Sequence, residues 1–405
     1  MLSDSRVSRH AETLGLHGFK VTVVCPLSER TDRVEERTGY EIRRVRSELF
    51  HRAVTLVKRR NPSQNSLRVT QPTAQHSLPS PTGKRSLAKL KQLITNAISI
   101  LLLQLALIRE ARRIHAHVYC ANDLDTLLIA VCAAAFDGKI VYDSHELWPD
   151  MLIGTPEFWK RMWRSWEGLL VGRADSVMTV NKFIADVLKS RFGIKPPIHV
   201  IYNCPPPIVG RQRVSVHRRR KFKIVLYHGG FQAERGLENL VKAAHQLLPD
   251  IILTFRGSGS IEGELKRLAT GLPNVRFEPP VRMKEVVEAA SQADVGVIPY
   301  LPTNLCNYYA SPNKLFEYIQ AGLAIAASDL PFMRKIILEN DIGTVFDPSD
   351  PSSIAEALNR VTRTQELEHY RKNQVQVMKK FSWETESQRL LRLYGSFEPR
   401  SNSSS

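Results

Sequence analysis

Cysteine is scarce in this chain and poorly placed for pairing. Five cysteines, Cys25, Cys120, Cys132, Cys204 and Cys306, are scattered over 405 residues. None forms a CxxC pair or a zinc spacing, and the odd count argues against a full disulfide framework. A reducing compartment fits that usage. No apolar run reaches the ~20 residues that a membrane-spanning helix needs; the most apolar one, Ile98 to Ile108, is too short. The first twenty residues are polar and amphipathic, so no secretory leader is expected there. Negative charge is also in short supply: 40 acidic side chains face 57 basic ones, a net charge of +17. Such a field favours an anionic partner (nucleic acid, an acidic lipid surface or a polyphosphate) without choosing among them. The basic residues do not alternate with an aromatic platform, as single-strand nucleic-acid binding would require. A hydrophobic content of 43% excludes a disordered chain, and the length suffices for two domains.

The stretch that organises the rest is Tyr309 to Pro331, YASPNKLFEYIQAGLAIAASDLP. Ser311 reads as an N-cap, and Pro312 sits where a first helical residue tolerates losing its N–H. Leu315, Phe316, Ile319 and Gln320 recur at helical spacing, and Gly322 suits a left-handed cap that ends the helix. Leu323 to Ala327 then reads as a strand buried on both faces. Free N–H groups at such a helix start are where α/β proteins bind phosphates. Glu317 lies on this helix. A buried carboxylate there needs partners; a plain amphipathic helix with a surface Glu is the alternative.

From 222 to 362 strands and helices alternate. FKIVLYHGGFQAERGLENLVKAA gives a strand, a turn with Gly229 and Gly230, and a helix starting near Gly236, just after Arg235. Paired glycines let a backbone approach a phosphate closely. IILTFRGSGSIEGELKRLA repeats the theme with Gly257 and Gly259. The succession implies a right-handed, parallel, doubly wound sheet.

The first half is less regular. SDSRVSRHAETLGLHG reads as a helix, and FKVTVVCP and GYEIRRVRS as strands. Residues 58–85 are rich in Pro, Ser, Gln and basic residues with no apolar period, which predicts a flexible insertion. A long helix follows. Its apolar middle is either core, or a face lying in a membrane interface with Lys84, Arg85, Lys89 and Lys91 at the head groups. In HVYCANDLDTLLIAVCAAAF the turn acids Asp123 and Asp125 either cap a helix or meet an acceptor. KIVYDSHELWPDM delivers Asp143, His145 and Glu146 to a strand's carboxyl end, where open α/β sheets bind ligands. Phe158, Trp159, Trp163 and Trp166 are spaced as one stripe on a helix over 157–171. That stripe is read as core packing, with an acceptor-lipid groove as the alternative.

These motifs, in their order and spacing, resemble the family 4 glycosyltransferases, from DSRVSRHAETL to FSWETESQRLLRLY. The resemblance implies an α/β chain of two facing Rossmann-like doubly wound domains, the GT-B fold. In that family a Glu-x7-Glu motif brackets the segment equivalent to Tyr309–Glu317. Its second Glu holds the donor ribose and is matched by Glu317; its first would fall at Tyr309. An Arg and a Lys of the glycine-turn segment clamp the donor diphosphate. Arg235 matches the Lys, whereas the Arg position, roughly Gly229, is held by glycine. The implied donor-binding set is Gly229, Gly230, Arg235, Gly257, Gly259, Ser311, Asn313, Lys314, Leu315 and Glu317. Asp123, Asp143, His145 and Glu146 lie on the acceptor side, and His145, Arg235 and Lys314 carry the chemistry. The implied reaction moves a sugar from a nucleoside diphosphate sugar to a glycan or lipid-linked hydroxyl with retention. Neither a metal nor a cofactor beyond the donor is implied, because no DxD pair sits at a strand end near the donor site. Nucleic acid is not an expected partner; an anionic membrane surface is, with the protein peripheral on a cytoplasmic face. A sugar-nucleotide epimerase of similar frame and a non-catalytic polyanion binder are the alternatives.

The resemblance also sets a domain plan. Residues 1–205 form the acceptor-side domain, 206–221 a linker, 222–378 the nucleotide-sugar domain, 379–397 a helix crossing back, and 398–405 a disordered tail. A doubly wound domain opens with a strand and a glycine turn before its first helix. Here the sequence opens at the helix, so the first strand is expected to be encoded upstream of Met1, the alternative being an N-terminal domain that truly lacks it.

Overall fold

The computed structural model describes residues 5–27, 31–45, 83–135, 137–152, 154–207 and 221–397, with backbone only for 83–94 and 96. The expected linker core at 208–220, the tail at 398–405 and the insertion up to residue 82 lie outside the described residues. The helix after the insertion already begins at Gly83. Contacts divide the chain into Met1–Val141 and Tyr142–Ser405.

In the first unit α1 (Ser5–Leu16) precedes β1 (Val21–Pro26), β2 (Val34–Arg37) and β3 (Tyr40–Val45). β1 pairs parallel with β3, and β2 folds back antiparallel onto β3 through a turn at Gly39, whose φ of 81° suits glycine. Sequence periodicity missed β2, a short charged strand of pattern VEER. α2 (Gly83–Ile114), β4 (Val118–Asn122) and α3 (Leu124–Ala134) follow. α2 buries Leu107 and Ala111 against Ile129 and Ala133 of α3, yet Ile98, Ile100, Leu101 and Leu105 are exposed. Among the described side chains of this helix, the buried apolar ones lie in its C-terminal part. β5 (Lys139–Ser144) carries the chain from one unit into the other.

The second unit continues with α4 (Glu157–Val171), β6 (Ser176–Thr179), α5 (Lys182–Phe192) and β7 (Ile198–Val200). The core reading of α4 fails for Phe158, Trp159 and Trp166 but not for Trp163, which is half-buried with its ring centre 5.3 Å from that of Trp148. Phe158 is 70% and Leu169 67% exposed, and Trp159, Met162 and Trp166 are exposed beside them. The helix is held instead by its opposite face. There Glu167, Leu170 and Val171 are buried, and the Tyr142 hydroxyl donates to Glu167 at 2.8 Å.

Thereafter strand and helix alternate as β8 (Lys223–Gly230), α6 (Leu237–Ala243), β9 (Ile251–Ser258), α7 (Glu262–Leu268), β10 (Val275–Glu278), α8 (Val286–Ala290) and β11 (Val295–Ile298). Then come α9 (Leu305–Tyr308), α10 (Asn313–Ala321), β12 (Ala324–Ser328), α11 (Pro331–Glu339), β13 (Gly343–Phe346), α12 (Pro351–Val361), α13 (Thr364–Lys380) and α14 (Trp383–Gly395). The six strands form one parallel sheet of order β10-β9-β8-β11-β12-β13. β8, β11 and β12 are apolar runs because both faces are covered. Gly322 ends α10 at φ 74°, as the sequence predicts.

Residues 142–207 bond to the C-terminal half. The Asn181 amide donates to the Tyr309 carbonyl at 2.8 Å, Asn203 to Asn313 Oδ1 at 2.8 Å, and the Cys306 thiol to the Leu147 carbonyl at 2.9 Å. α14 adds two bonds: Glu386 accepts from the Tyr202 N–H at 2.9 Å, and the Trp383 N–H donates to the Pro205 carbonyl at 3.3 Å.

Candidate active site

In the six-stranded sheet the chain starts at β8, winds outward to β10, then returns to β11 on the other side of β8. The carboxyl ends of β8 and β11 therefore flank the topological switch point, where such sheets bind ligands. At β8 that end is His228-Gly229-Gly230; β11 leads into Pro299-Tyr300. Gly229 pairs in register with Gly257. Their φ angles are 122° and 153°, and a Cβ at 257 would lie 1.9 Å from the Gly229 carbonyl oxygen. One at Gly259 would lie 2.2 Å from the Phe231 oxygen. Only glycine lets these turns close on each other. Gly236, at φ 66°, packs equally tightly on Pro299, whose oxygen lies 1.9 Å from the position of a Cβ. That contact presses the short turn Ala233–Arg235 against the end of β11.

The result is a pair of cations on tyrosine faces. The Arg235 guanidinium lies 4.2 Å from the Tyr300 ring centre; Lys314 Nζ lies 4.0 Å from that of Tyr227 and 5.1 Å from that of Tyr300. Each such contact contributes about 0.5–2 kcal/mol. Neither cation has an ion-pair partner among the described residues. Lys314 is only 7% exposed, and buried charges are ordinarily paired. Burial, and secondarily Arg235, hold its ammonium well below the usual lysine range, against the pull of Glu317. A Cβ on Gly229 would sit 3.5 Å from Lys314 Nζ. Lys314 thus stands beside the place where the family resemblance puts an arginine.

A pH effect follows with a definite sign. Between the depressed value and the ordinary ~10.4, the native state holds a neutral amine while the unfolded chain holds a proton. Stability therefore rises with pH through that window. An anion between Lys314 and Arg235 restores the ammonium, so its binding takes up a proton there and weakens as pH rises. Calorimetry of a nucleoside diphosphate in two buffers of different ionisation enthalpy, at a pH inside that window and well above the phosphate ionisation at about 6, should show net proton uptake that Lys314→Met abolishes. Equal heats in both buffers would contradict the assignment.

Acids surround the cations. His228 Nε2 lies 2.7 Å from Glu317 Oε2, and the Glu317 side chain is 18% exposed. Asp143 is fully buried, with Oδ2 3.2 Å from His145 Nε2. The Ser144 hydroxyl donates to the Glu146 carbonyl at 2.9 Å, fixing the loop. Glu146 is exposed as a residue, yet the protein around its carboxyl withdraws enough water to push it up, opposed by Arg235 and then His145. Burial likewise raises the Tyr300 hydroxyl; Arg235 opposes it, and Glu146 and Glu317 add to it. Glu146, Arg235, Lys314 and Glu317 thus gather near Tyr300, with His145 beside Glu146.

Other expected residues fall elsewhere. Ser311 is not the cap of α10: Pro312 holds that position, and the Ser311 hydroxyl donates to the Val180 carbonyl at 3.4 Å. Leu315 is wholly buried in the core. Asn313 opens α10 and accepts from Asn203. Gly230 sits beside Gln232 at the turn. Asp123 belongs to the first unit, where it precedes α3 at φ 62° without a side-chain cap bond. Tyr227, Tyr300 and His228 were not singled out from sequence. The signal available was position: each immediately adjoins a strand end at the switch point.

Residues 210–378 match the family model described as Glycosyl transferases group 1, and residues 85–207 that described as Glycosyltransferase Family 4. Over 213 residues the chain is 24% identical to the putative teichuronic acid biosynthesis glycosyltransferase TuaH of Bacillus subtilis, covering 49% of this chain and 52% of that one. It is 27% identical over 181 residues to the phosphatidyl-myo-inositol mannosyltransferase of Mycolicibacterium smegmatis, covering 43% and 45%. The chain thus spans about half the length of the curated relatives it matches. Among solved structures it resembles sucrose-phosphate synthase from Thermosynechococcus elongatus, with a TM-score of 0.68 at 17% identity, covering 96% of this chain and 92% of that one. A glycosyltransferase from Rickettsia africae gives 0.64 at 12% identity, covering 98% and 95%. Anabaena HepE in complex with UDP and glucose gives 0.57 at 17%, covering 72% and 82%. These likenesses establish the GT-B fold class.

Proposed function

Because the chain belongs to the family 4 glycosyltransferases, we propose that it moves a sugar from a nucleoside diphosphate sugar to a hydroxyl of a glycan or lipid-linked acceptor, with retention of configuration. The observation that carries this reading is the unpaired couple Arg235 and Lys314 on the Tyr300 and Tyr227 rings, beside the glycine turns of the switch point. Two cations with no ion-pair partner among the described residues, in a partly desolvated place, make an anion site. A diphosphate leaving group gains negative charge as the glycosidic bond breaks, and preorganised cations stabilise that charge. Front-face attack with retention then needs no covalent nucleophile and no metal or cofactor. Glu317 takes the donor ribose, and His145, steadied by Asp143, faces the transferred sugar with Glu146. A uridine diphosphate sugar is the first donor to test, since HepE was solved with UDP. The family match disfavours the epimerase and polyanion-binder readings.

Incubation with labelled UDP-, GDP- and ADP-sugars, with and without membrane extract, tests this. Transfer to an extract-borne acceptor, with the anomer retained, is expected. Absence of transfer and of donor hydrolysis with every sugar would overturn it.

The reading extends to a peripheral place on a cytoplasmic membrane face. No described helix is long and apolar enough to cross a membrane. Ile98, Ile100, Leu101 and Leu105 of α2, and separately Phe158, Trp159, Met162, Trp166 and Leu169 of α4, are exposed. Apolar and aromatic helix faces of this kind, on a chain of net charge +17, suit an anionic lipid surface. Flotation with anionic vesicles at low salt is expected to carry the protein upward. Binding that is absent, or indifferent to lipid charge, would refute the membrane assignment.

A further inference from the structure

His228 is a buried histidine, 6% exposed, at the last covered position of β8. An ionised carboxylate only accepts hydrogen bonds, so in the 2.7 Å contact His228 Nε2–H donates to Glu317 Oε2. The imidazole is itself fixed from the other side. Its ring centre lies 4.6 Å from that of Tyr318. The Tyr318 hydroxyl accepts from the His228 backbone N–H at 3.1 Å and donates to the Leu226 carbonyl at 3.0 Å. Tyr318 fits there because residue 296 is glycine: a Cβ on Gly296 would come within 2.3 Å of the Tyr318 ring. A chain of contacts thus runs from β11 through Tyr318 to His228 and ends on one oxygen of Glu317.

The terminal torsion of a glutamate is broad and weakly held by its own sterics. A rigid donor on one oxygen selects one carboxylate orientation. We propose that His228 is the positioning residue for Glu317, setting the carboxylate for the two ribose hydroxyls of the donor. The proposal rests on the ribose role of Glu317 given above. Positioning of this kind preorganises a polar contact instead of adding one.

The test uses the full chain with whichever of UDP, GDP and ADP binds tightest, and the 2′,3′-dideoxy form of that nucleotide. Calorimetry gives the ribo/dideoxy affinity ratio. The native protein is expected to favour the ribonucleotide about tenfold or more, and Glu317→Gln should largely remove that preference. His228→Phe keeps a ring against Tyr318 and removes the donor. It should reduce the ratio by about fivefold, leaving dideoxynucleotide affinity and the melting temperature nearly unchanged. His228→Gln retains an N–H donor and should restore much of the ratio. A His228→Phe protein with an intact ratio, beside a Glu317→Gln protein that has lost it, overturns the positioning role while sparing the ribose role. A native protein that binds no nucleotide, or shows no ribose preference, overturns the ribose role and the positioning role with it.

Discussion

Replacing Arg235 by alanine is expected to slow turnover about 100-fold or more, with a smaller loss of nucleotide affinity. The guanidinium is held by its stack on Tyr300 at 4.2 Å and by the tight seat of Gly236 on Pro299. Its position is therefore prepaid before any donor arrives. Leaving-group charge grows as the bond to the sugar breaks, so a fixed cation acts more on the transition state than on the ground state. Lysine at 235 should restore only part of the rate, because it supplies a point charge without the planar fork that stacks. Removing Arg235 also relieves one of the two influences that depress Lys314. Lys314 should then be easier to protonate, and effects at the two sites should not add. Turnover and affinity measured separately decide the matter: normal turnover with weaker binding alone would remove Arg235 from the chemistry.

Gly257→Ala is expected to cost about 3 kcal/mol of stability and, at roughly 2–4 °C per kcal/mol, to lower the melting temperature by about 6–12 °C. The added Cβ would lie 1.9 Å from the Gly229 oxygen and 3.1 Å from Phe231 Cε1, at a φ of 153°. Neither neighbour can yield cheaply. The first is backbone of the paired strand, and Phe231 is buried among Tyr227, Phe255 and Phe277. Relief requires β8 and β9 to part at the turn that the proposed function assigns to the diphosphate, so donor affinity should fall as well. Gly263→Ala is the control. It lies in α7 with nothing near its Cβ position, and alanine there should be neutral or stabilising. Equal melting temperatures for the Gly257 and Gly263 variants would show that the close approach is not rigid.

The sequence by itself determined the parts whose signal is local. Around α10, apolar residues at helical spacing, Pro312 at the start and Gly322 at the end specify helix, stop and buried strand without reference to anything distant. The alternation of strands and glycine turns from 222 onward likewise implies the parallel doubly wound sheet that is found, since a strand–helix–strand unit closes in one hand. Glu317, Arg235 and Lys314 were singled out through the family resemblance, and the structure brings them together near Tyr300.

Only the tertiary structure decided which faces are covered and which side chains meet. The stripe of α4 has the spacing of a core face, but burial depends on what another element presents, and the helix is held by Glu167, Leu170 and Val171 instead. His228 and Glu317 lie 89 residues apart, and nothing in either neighbourhood announces the other. The fold lays the Lys314 amine on Tyr227 beside Gly229, a burial that its place at a helix start does not announce. Propensity and period are properties of neighbours along the chain. Contact, desolvation and shifted ionisation are properties of neighbours in space, and they exist only after the sheet has brought β8, β11 and α10 to one edge.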